Sequence, residues 1–444
     1  MSIFQSKWVK SGIYSIGSRL SILLFGFGGF YFLVRLLPKE NFGAWSLFLT
    51  ITTIIEMSRN GLIQNALIKL LHASDQLSSN KVITASWVIN LLYSCIMYLI
   101  LVLSASPFKS IFGVDELQPM FAYFGITMIL LIPISQFNYL QQAKFSFSGI
   151  FWTAFVRQGI FFGAAAAFYF LNYQPSLVTL VLVQAGCTLI SLFVAFFSAR
   201  QFFEFSFDWD RKIALRVFHF GKYVMGTNIS SLFFKSVDQF SVGFFLNASS
   251  VAIYSSAIRL SNMIEYPATS VAEVIYPYST AKISEEGEQV TKTLYEKSVG
   301  LTLTITLPIV LITFIFADLI IYIIAGSAYA DAASILKITT LFGIVTPFNR
   351  QFGMAMDSSN RPHLNFRLLV FALFTNILNN AVFIYFFGVV GAAYGTLLSY
   401  IIISVIGHFM LVRIFNVQLI NIYRYMIMYY AQGFVFAKNM LTSK

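Results

Sequence analysis

The sequence predicts an all-α integral membrane protein, with about 12 transmembrane helices in two pseudo-symmetric six-helix lobes around a central cavity. Three observations predict it. The chain has 444 residues of which 58% are hydrophobic and only 11% charged, against roughly 25% charged residues in a soluble domain. Twelve apolar windows follow one another along it, each long enough to cross a hydrocarbon core about 30 Å thick. The stretch from Gly12 to Glu56 recurs without gaps 209 positions later, as Gly221 to Glu265, with ten identities in 45 aligned positions. An internal repeat in a membrane protein points to two lobes around a shared site.

The chain opens with MSIFQSKWVKSG, a basic, amphipathic lead-in, and the apolar run behind it is long enough to span rather than be cleaved. The predicted spans run near 12–36, 42–70, 82–105, 117–141, 149–171, 176–199, 217–246, 251–280, 294–324, 331–356, 364–387 and 390–413. Strands are excluded because these runs are long and lack period-two alternation. Connections are short apart from 200–216 and 281–293. The first of these, RQFFEFSFDWDRKIALR, interleaves aromatic and charged residues and reads as an interfacial segment. It sets the expected lobe boundary near Phe207, giving lobes at 1–207 and 208–444. In the tail, 416–444, YMIMYYAQGFVFA is too short an apolar run to cross and is expected to lie along the cytoplasmic surface. Cys95 and Cys187 lie inside apolar runs and read as core residues rather than a disulfide.

Orientation follows from the basic residues. Lys7, Lys10, Lys69, Lys81, Lys144, Arg200 and Arg211 collect on one side, where the other has little more than Lys39 and Lys109. Both termini are therefore expected in the cytoplasm. The net charge of +11 is largely this topology signal, and nucleic-acid binding is not expected.

Polar residues inside spans are costly, which makes them candidates for function. On the seventh span Asn228, Ser231, Lys235 and Asp238 share one helical face, and Lys235 and Asp238 are placed to neutralise each other. Glu56 and Arg59 make a comparable i, i+3 pair on the second span. On the eighth, Ser255, Arg259, Asn262, Tyr266, Thr269 and Glu273 line one face, with Glu265 about a quarter-turn away. Arg19, Arg157 and Arg350 are isolated cations in the first, fifth and tenth spans. Such ion pairs can also serve as helix–helix glue, and Arg19 and Arg350 could snorkel to the interface. Pro133 and Pro347 occupy matching spans of the two halves, as hinges or as packing devices. Gly26 and Gly29 in the first copy stand where Lys235 and Asp238 stand in the second, so the first copy is expected to offer room for close approach. No phosphate loop, metal-ligand spacing or nucleophile elbow is present, so neither enzyme chemistry nor a cofactor is expected.

Several segments resemble the bacterial polysaccharide flippases of Wzx type, within the multidrug/oligosaccharidyl-lipid/polysaccharide exporter superfamily. GIYSIGSRLSILLFGFGGFYFLVRLLPKENFGAWSLFLTI looks like the family's first span, turn and second span, and RNGLIQNALIKLL like the end of the second, with Asn60 and Lys69 as departures. VDQFSVGFFLNASSVAIYSSAIRL resembles the seventh-to-eighth signature through Asp238, Gly243, Tyr254 and Ala257, with Ala252 replacing the usual glycine, and IYPYSTA matches the end of the eighth span. The resemblance implies a MATE-like bundle in the bacterial inner membrane that flips an undecaprenyl-pyrophosphate-linked oligosaccharide. The expected partners are that lipid-linked oligosaccharide and membrane lipids. Coupling to a proton or sodium ion and a complex with a polysaccharide polymerase stay open. On that reading Arg19, Arg59, Arg157, Lys235, Arg259 and Arg350 meet the pyrophosphate or sugar, and Glu56, Asp238, Glu265 and Glu273 orient them or take up the coupling ion. A multidrug exporter of the same superfamily and a membrane glycan polymerase or ligase are the alternatives.

Overall fold

The computed structural model describes residues 2–73, 76–202, 208–266, 271, 279, 282–283, 285–359 and 361–442. Among the described residues the chain is helical almost throughout and has no strand. The helices are α1 (Ser2–Leu36), α2 (Lys39–Ala73), α3 (Gln76–Phe112), α4 (Leu117–Ala143), α5 (Phe147–Phe170), α6 (Leu177–Ala199), α7 (Arg211–Phe245) and α8 (Ala248–Ser261). They continue as α9 (Val290–Ile315), α10 (Ala317–Ala325), α11 (Ala332–Thr340), α12 (Phe342–Ser358), α13 (Pro362–Phe387), α14 (Val389–Phe415) and α15 (Leu419–Thr442).

Among the described residues, eight helical stretches are long and apolar enough to cross a membrane, in α1, α3, α4, α5, α6, α9, α13 and α14. A ninth is formed by α11 and α12 together, bent by 40° between Thr340 and Phe342. Pro347 lies inside α12; it has no N–H for the carbonyl four residues back, at Gly343, which loosens the turn beside the bend. The remaining expected crossings are α2, α7 and the stretch that begins with α8. Both α2 and α7 have 35 residues, about 52 Å at 1.5 Å per residue. Length is therefore ample, and it is the charged residues they carry that set these two apart. The eighth expected span, 251–280, runs beyond the described residues.

The chain forms two compact units, one of residues 1–233 and 247–252, the other of 234–246 and 253–444. The boundary expected near Phe207 lies outside the described residues. Helix α7 contributes its first part to one unit and its last part to the other.

In the first unit α1 lies along α5, and α4 packs against α2, α3 and α6. Aromatic rings fill the spaces: Phe25 meets Phe155 at 5.1 Å, and buried Trp45 stacks on Phe48 at 5.4 Å and on Phe161 at 6.1 Å. Each such ring buries a large apolar area. The room expected at Gly26 is not used for close approach, since nothing lies within 4 Å of where a Cβ would stand. Close approach occurs elsewhere in both copies: a Cβ at Gly43 would fall 1.8 Å from the carbonyl oxygen of Ala248, and one at Gly221 would fall 1.7 Å from the carbonyl oxygen of Leu62 on α2. Small residues continue that contact, with Ala66, Ala85, Ala214 and Val217 forming one buried cluster.

In the second unit α13 and α14 form a hairpin turned at Gly388, whose φ of 60° suits a residue without a Cβ. Helix α12 packs on α9, α13 and α14 around Tyr295, Leu303, Phe352, Met356 and Leu368. The tail forms α15. Its first turn is held by the buried carboxylate of Glu296, which accepts from Gln418 N at 2.8 Å and from Asn421 Nδ2 at 3.1 Å. Eight residues further along both helices, Thr304 Oγ1 donates to Met426 O at 3.3 Å. The first turns of α15 thus run beside α9 in the same direction.

Candidate functional site

The second unit holds five of the sequence candidates, Lys235 and Asp238 on α7, Arg259 on α8, Glu265 just beyond it and Arg350 on α12. Lys235 on α7 donates to Glu265 Oε2 at 3.0 Å. The lysine side chain is 47% exposed and the glutamate 14%. The neutralisation expected between Lys235 and Asp238 does not occur. Although one turn apart on the same face, the two side chains take different partners, one on α8 and one just beyond its end. Asp238 is 3% exposed and accepts a short hydrogen bond from the Tyr254 hydroxyl of α8, which satisfies only one of its oxygens. Asp238 Oδ1 is buried with no hydrogen-bond partner.

Behind Asp238 lies a set of neutral polar side chains that the sequence reading did not single out. Thr396 of α14 interacts with the Asp238 carboxylate and donates to Asn376 Oδ1 of α13 at 3.0 Å. Asn380 Nδ2 donates to Asn376 Oδ1 at 2.8 Å and to Thr396 Oγ1 at 3.1 Å. Asn380 Oδ1 and Asn376 Nδ2 are buried without partners. Buried polar atoms in an apolar span are normally satisfied, so the orphaned oxygen of Asp238 and the orphaned amide atoms of Asn376 and Asn380, connected to it through Thr396, mark a place built for something besides packing. The signal was legible as Asn376, Asn379 and Asn380 grouped in the middle of a mostly apolar helix. Counting charges alone passed over it.

Arg350 on α12 is half-buried and interacts electrostatically with the phenol of Tyr400 on α14, as do Glu265 and Asp238. Arg259, Asn262 and Tyr266 at the end of α8 are exposed, an arrangement that hydrocarbon penalises and water does not. Glu273 lies outside the described residues.

In the first unit Arg59 is 4% exposed, and its Nε has no hydrogen-bond partner. No ion pair joins it to Glu56, contrary to expectation. Glu56 stays half-exposed, whereas the guanidinium turns inward, where its charge acts on the phenols of Tyr93 and Tyr139. Those phenols are themselves fixed: Tyr93 shares a short hydrogen bond with Ser58, and Tyr139 Oη donates to Asn60 Oδ1 at 2.6 Å. Arg59 is therefore not presented to a bulky ligand in this conformation. Arg19 is exposed on α1, and Arg157 is half-buried on α5. Among the described residues no cluster of His, Cys, Asp or Glu could hold a metal ion.

A family model described as polysaccharide biosynthesis protein matches residues 32–334. A probable low-salt glycan biosynthesis flippase of Haloferax volcanii, Agl15, is 27% identical over 195 residues, covering 44% of this chain and 41% of that protein. The matched part thus spans less than half the length of that relative. A putative O-antigen transporter of Shigella flexneri is 25% identical over 338 residues, covering 74% of this chain and 78% of the transporter. The solved inward-facing structure of a multidrug resistance MATE family transporter of the MOP superfamily has the same fold, with a TM-score of 0.74 at 14% identity over 87% of this chain and 93% of that one.

Proposed function

Because this chain belongs to the polysaccharide biosynthesis protein family, we propose that it is a flippase, moving a lipid-linked oligosaccharide from the cytoplasmic to the external leaflet. The observation that carries the proposal is the polar surface of the second unit, where Lys235, Arg259 and Asn262 keep exposed area on helices that must cross hydrocarbon. A sugar–pyrophosphate headgroup cannot cross unaided, since its polar groups would lose water without replacement. A hydrated recess with fixed cations lowers that barrier, and guanidinium groups suit bidentate phosphate contact. Lys235, Arg259 and Arg350 would meet the headgroup there, with undecaprenyl pyrophosphate as the carrier. Transport would proceed by opening the recess to one leaflet and then to the other.

Asp238 is the proposed coupling residue. It is a buried carboxylate with one unpartnered oxygen, near Thr396, and such a carboxylate can take a proton or a small monovalent cation. The fold is shared with a drug transporter, so fold alone does not choose the cargo. The names of the relatives and the prominence of cations favour an anionic, glycosylated lipid. The test is deletion of the gene followed by mapping the lipid-linked glycan. Accumulation on the cytoplasmic face supports the proposal, and accumulation on the external face refutes it.

A further inference from the structure

Tyr400 takes no part in the reading above, yet it sits among the groups that do. Its ring makes an edge contact with Phe234 of α7 at 5.6 Å and 76°, and a tilted one with Phe342 of α12 at 5.2 Å and 57°. Its backbone is also held: Asn349 Nδ2 donates to Tyr400 O at 3.4 Å, and Ser404 Oγ donates to Asn349 Oδ1 at 2.8 Å. Phe342 is buried, but Phe234 and Tyr400 both keep exposed surface. Phe234 directly precedes Lys235, whose partner is Glu265, and Glu265 and Arg350 lie in the neighbourhood of Tyr400. A partly open aromatic surface thus has an ion pair and a guanidinium near it.

We propose that Tyr400, with Phe234 beside it, is the surface on which a sugar ring of the transported lipid packs, so that this pair distinguishes a glycosylated carrier from the bare carrier pyrophosphate. This rests on the flippase reading. A pyranose offers C–H groups on its faces and hydroxyls around its edge. The faces match an aromatic ring and the hydroxyls match the Glu265, Lys235 and Arg350 side chains around it. Pyrophosphate alone needs only the cations. A lipophilic drug cation needs an available carboxylate near the ring, but here Glu265 is already joined to Lys235 and Asp238 is buried against Tyr254.

The experiment uses the purified full chain in detergent and three probes: undecaprenyl pyrophosphate bearing one N-acetylhexosamine, bare undecaprenyl pyrophosphate, and tetraphenylphosphonium. The wild type is expected to bind the glycosylated carrier more tightly than the bare one. Tyr400→Ala should weaken binding of the glycosylated probe by roughly threefold to tenfold, the scale of an aromatic contact, and leave the bare carrier as in the wild type. Tyr400→Phe should retain the preference. Phe234→Leu serves as the second variant, because it keeps apolar bulk while losing the ring, and the same selective loss is expected. Equal binding of the two carriers by the wild type, or equal loss on both in the variants, overturns the proposal. If the wild type binds neither carrier and takes tetraphenylphosphonium instead, the flippase reading itself fails.

Discussion

At Asp238 the charge and the hydrogen bond can be separated. Replacing it with Ala leaves the Tyr254 hydroxyl buried without an acceptor, at a cost of about 1–3 kcal/mol. Asn keeps an acceptor for Tyr254 but can neither exchange a proton nor supply a negative charge to a cation. The expected outcome is a melting temperature in detergent that falls for Asp238→Ala and stays near the wild type for Asp238→Asn, while transport by Asp238→Asn no longer responds to a proton or sodium gradient. A wild-type gradient response in that variant would remove Asp238 from coupling. Lys235, Asp238 and Glu265 were all legible as costly charges within apolar runs, but their partners were not. Spacing on one helix suggested Lys235 with Asp238, whereas α8 brings up Tyr254 for one and the residues beyond its end bring up Glu265 for the other, 30 positions from Lys235. Asn376, Asn380, Thr396 and Tyr400 carry no charge and so have no weight in a tally of charges, and it is the α13–α14 packing that joins Asn376 and Asn380 to Thr396.

Two elements are tied down by single carboxylates, each testable on its own. Asp210 precedes α7, and its Oδ1 accepts from Lys212 N at 2.8 Å and Ile213 N at 3.3 Å, with Lys81 Nζ 4.0 Å from Oδ2. This is an N-cap. The Lys212 N–H, helped by the Ile213 N–H and the charges of Lys81 and Lys212, holds the Asp210 carboxyl below its ordinary value. A depressed value means that the stabilisation is present above the unfolded-state pKa, about 3.9, and is lost as the pH falls through the lower folded-state value. Hydrogen exchange in the first turn of α7 should therefore show protection that is flat from neutral pH down to about 5 and decays below about 4. Asp210→Ala should exchange faster throughout and lose that decay; an unchanged pH profile would rule out the cap. Glu296 does the same for α15 with buried geometry. Glu296→Ala removes both anchors of the tail helix, so limited proteolysis should cut near residue 418 in that variant and spare the wild type. Equal resistance would mean that the contacts along Thr304 hold α15 without the cap. The short apolar run of the tail predicts a surface segment, and nothing in the local sequence shows that Glu296, 122 positions before Gln418, holds the start of that helix against α9.

At the scale of the molecule the twelve expected spans divide by composition. Nine are apolar enough to be recognised among the described residues, and the others include α2 and α7, which carry Arg59, Lys235 and Asp238. Apolarity and function pull in opposite directions on these helices, so the segments hardest to certify as spans hold most of the candidates. The repeat makes a sharper prediction. Gly43 and Ala252 are equivalent positions of the two copies, 209 apart, and they meet: a Cβ at Gly43 would fall 1.8 Å from Ala248 O and 3.2 Å from Ala252 N. The contact joins α2 to the start of α8 at equivalent positions of the repeat. The neighbours there are backbone atoms and cannot rotate away. Gly43→Val should therefore force the helices apart at a cost of about 1–3 kcal/mol, typical of overpacking, lowering the melting temperature and the transport rate together. Ala252→Gly, on the other side of the same contact, relieves crowding and should leave transport intact. If Gly43→Val melts and transports as the wild type does, backbone contact at Gly43 does not hold α2 against the start of α8.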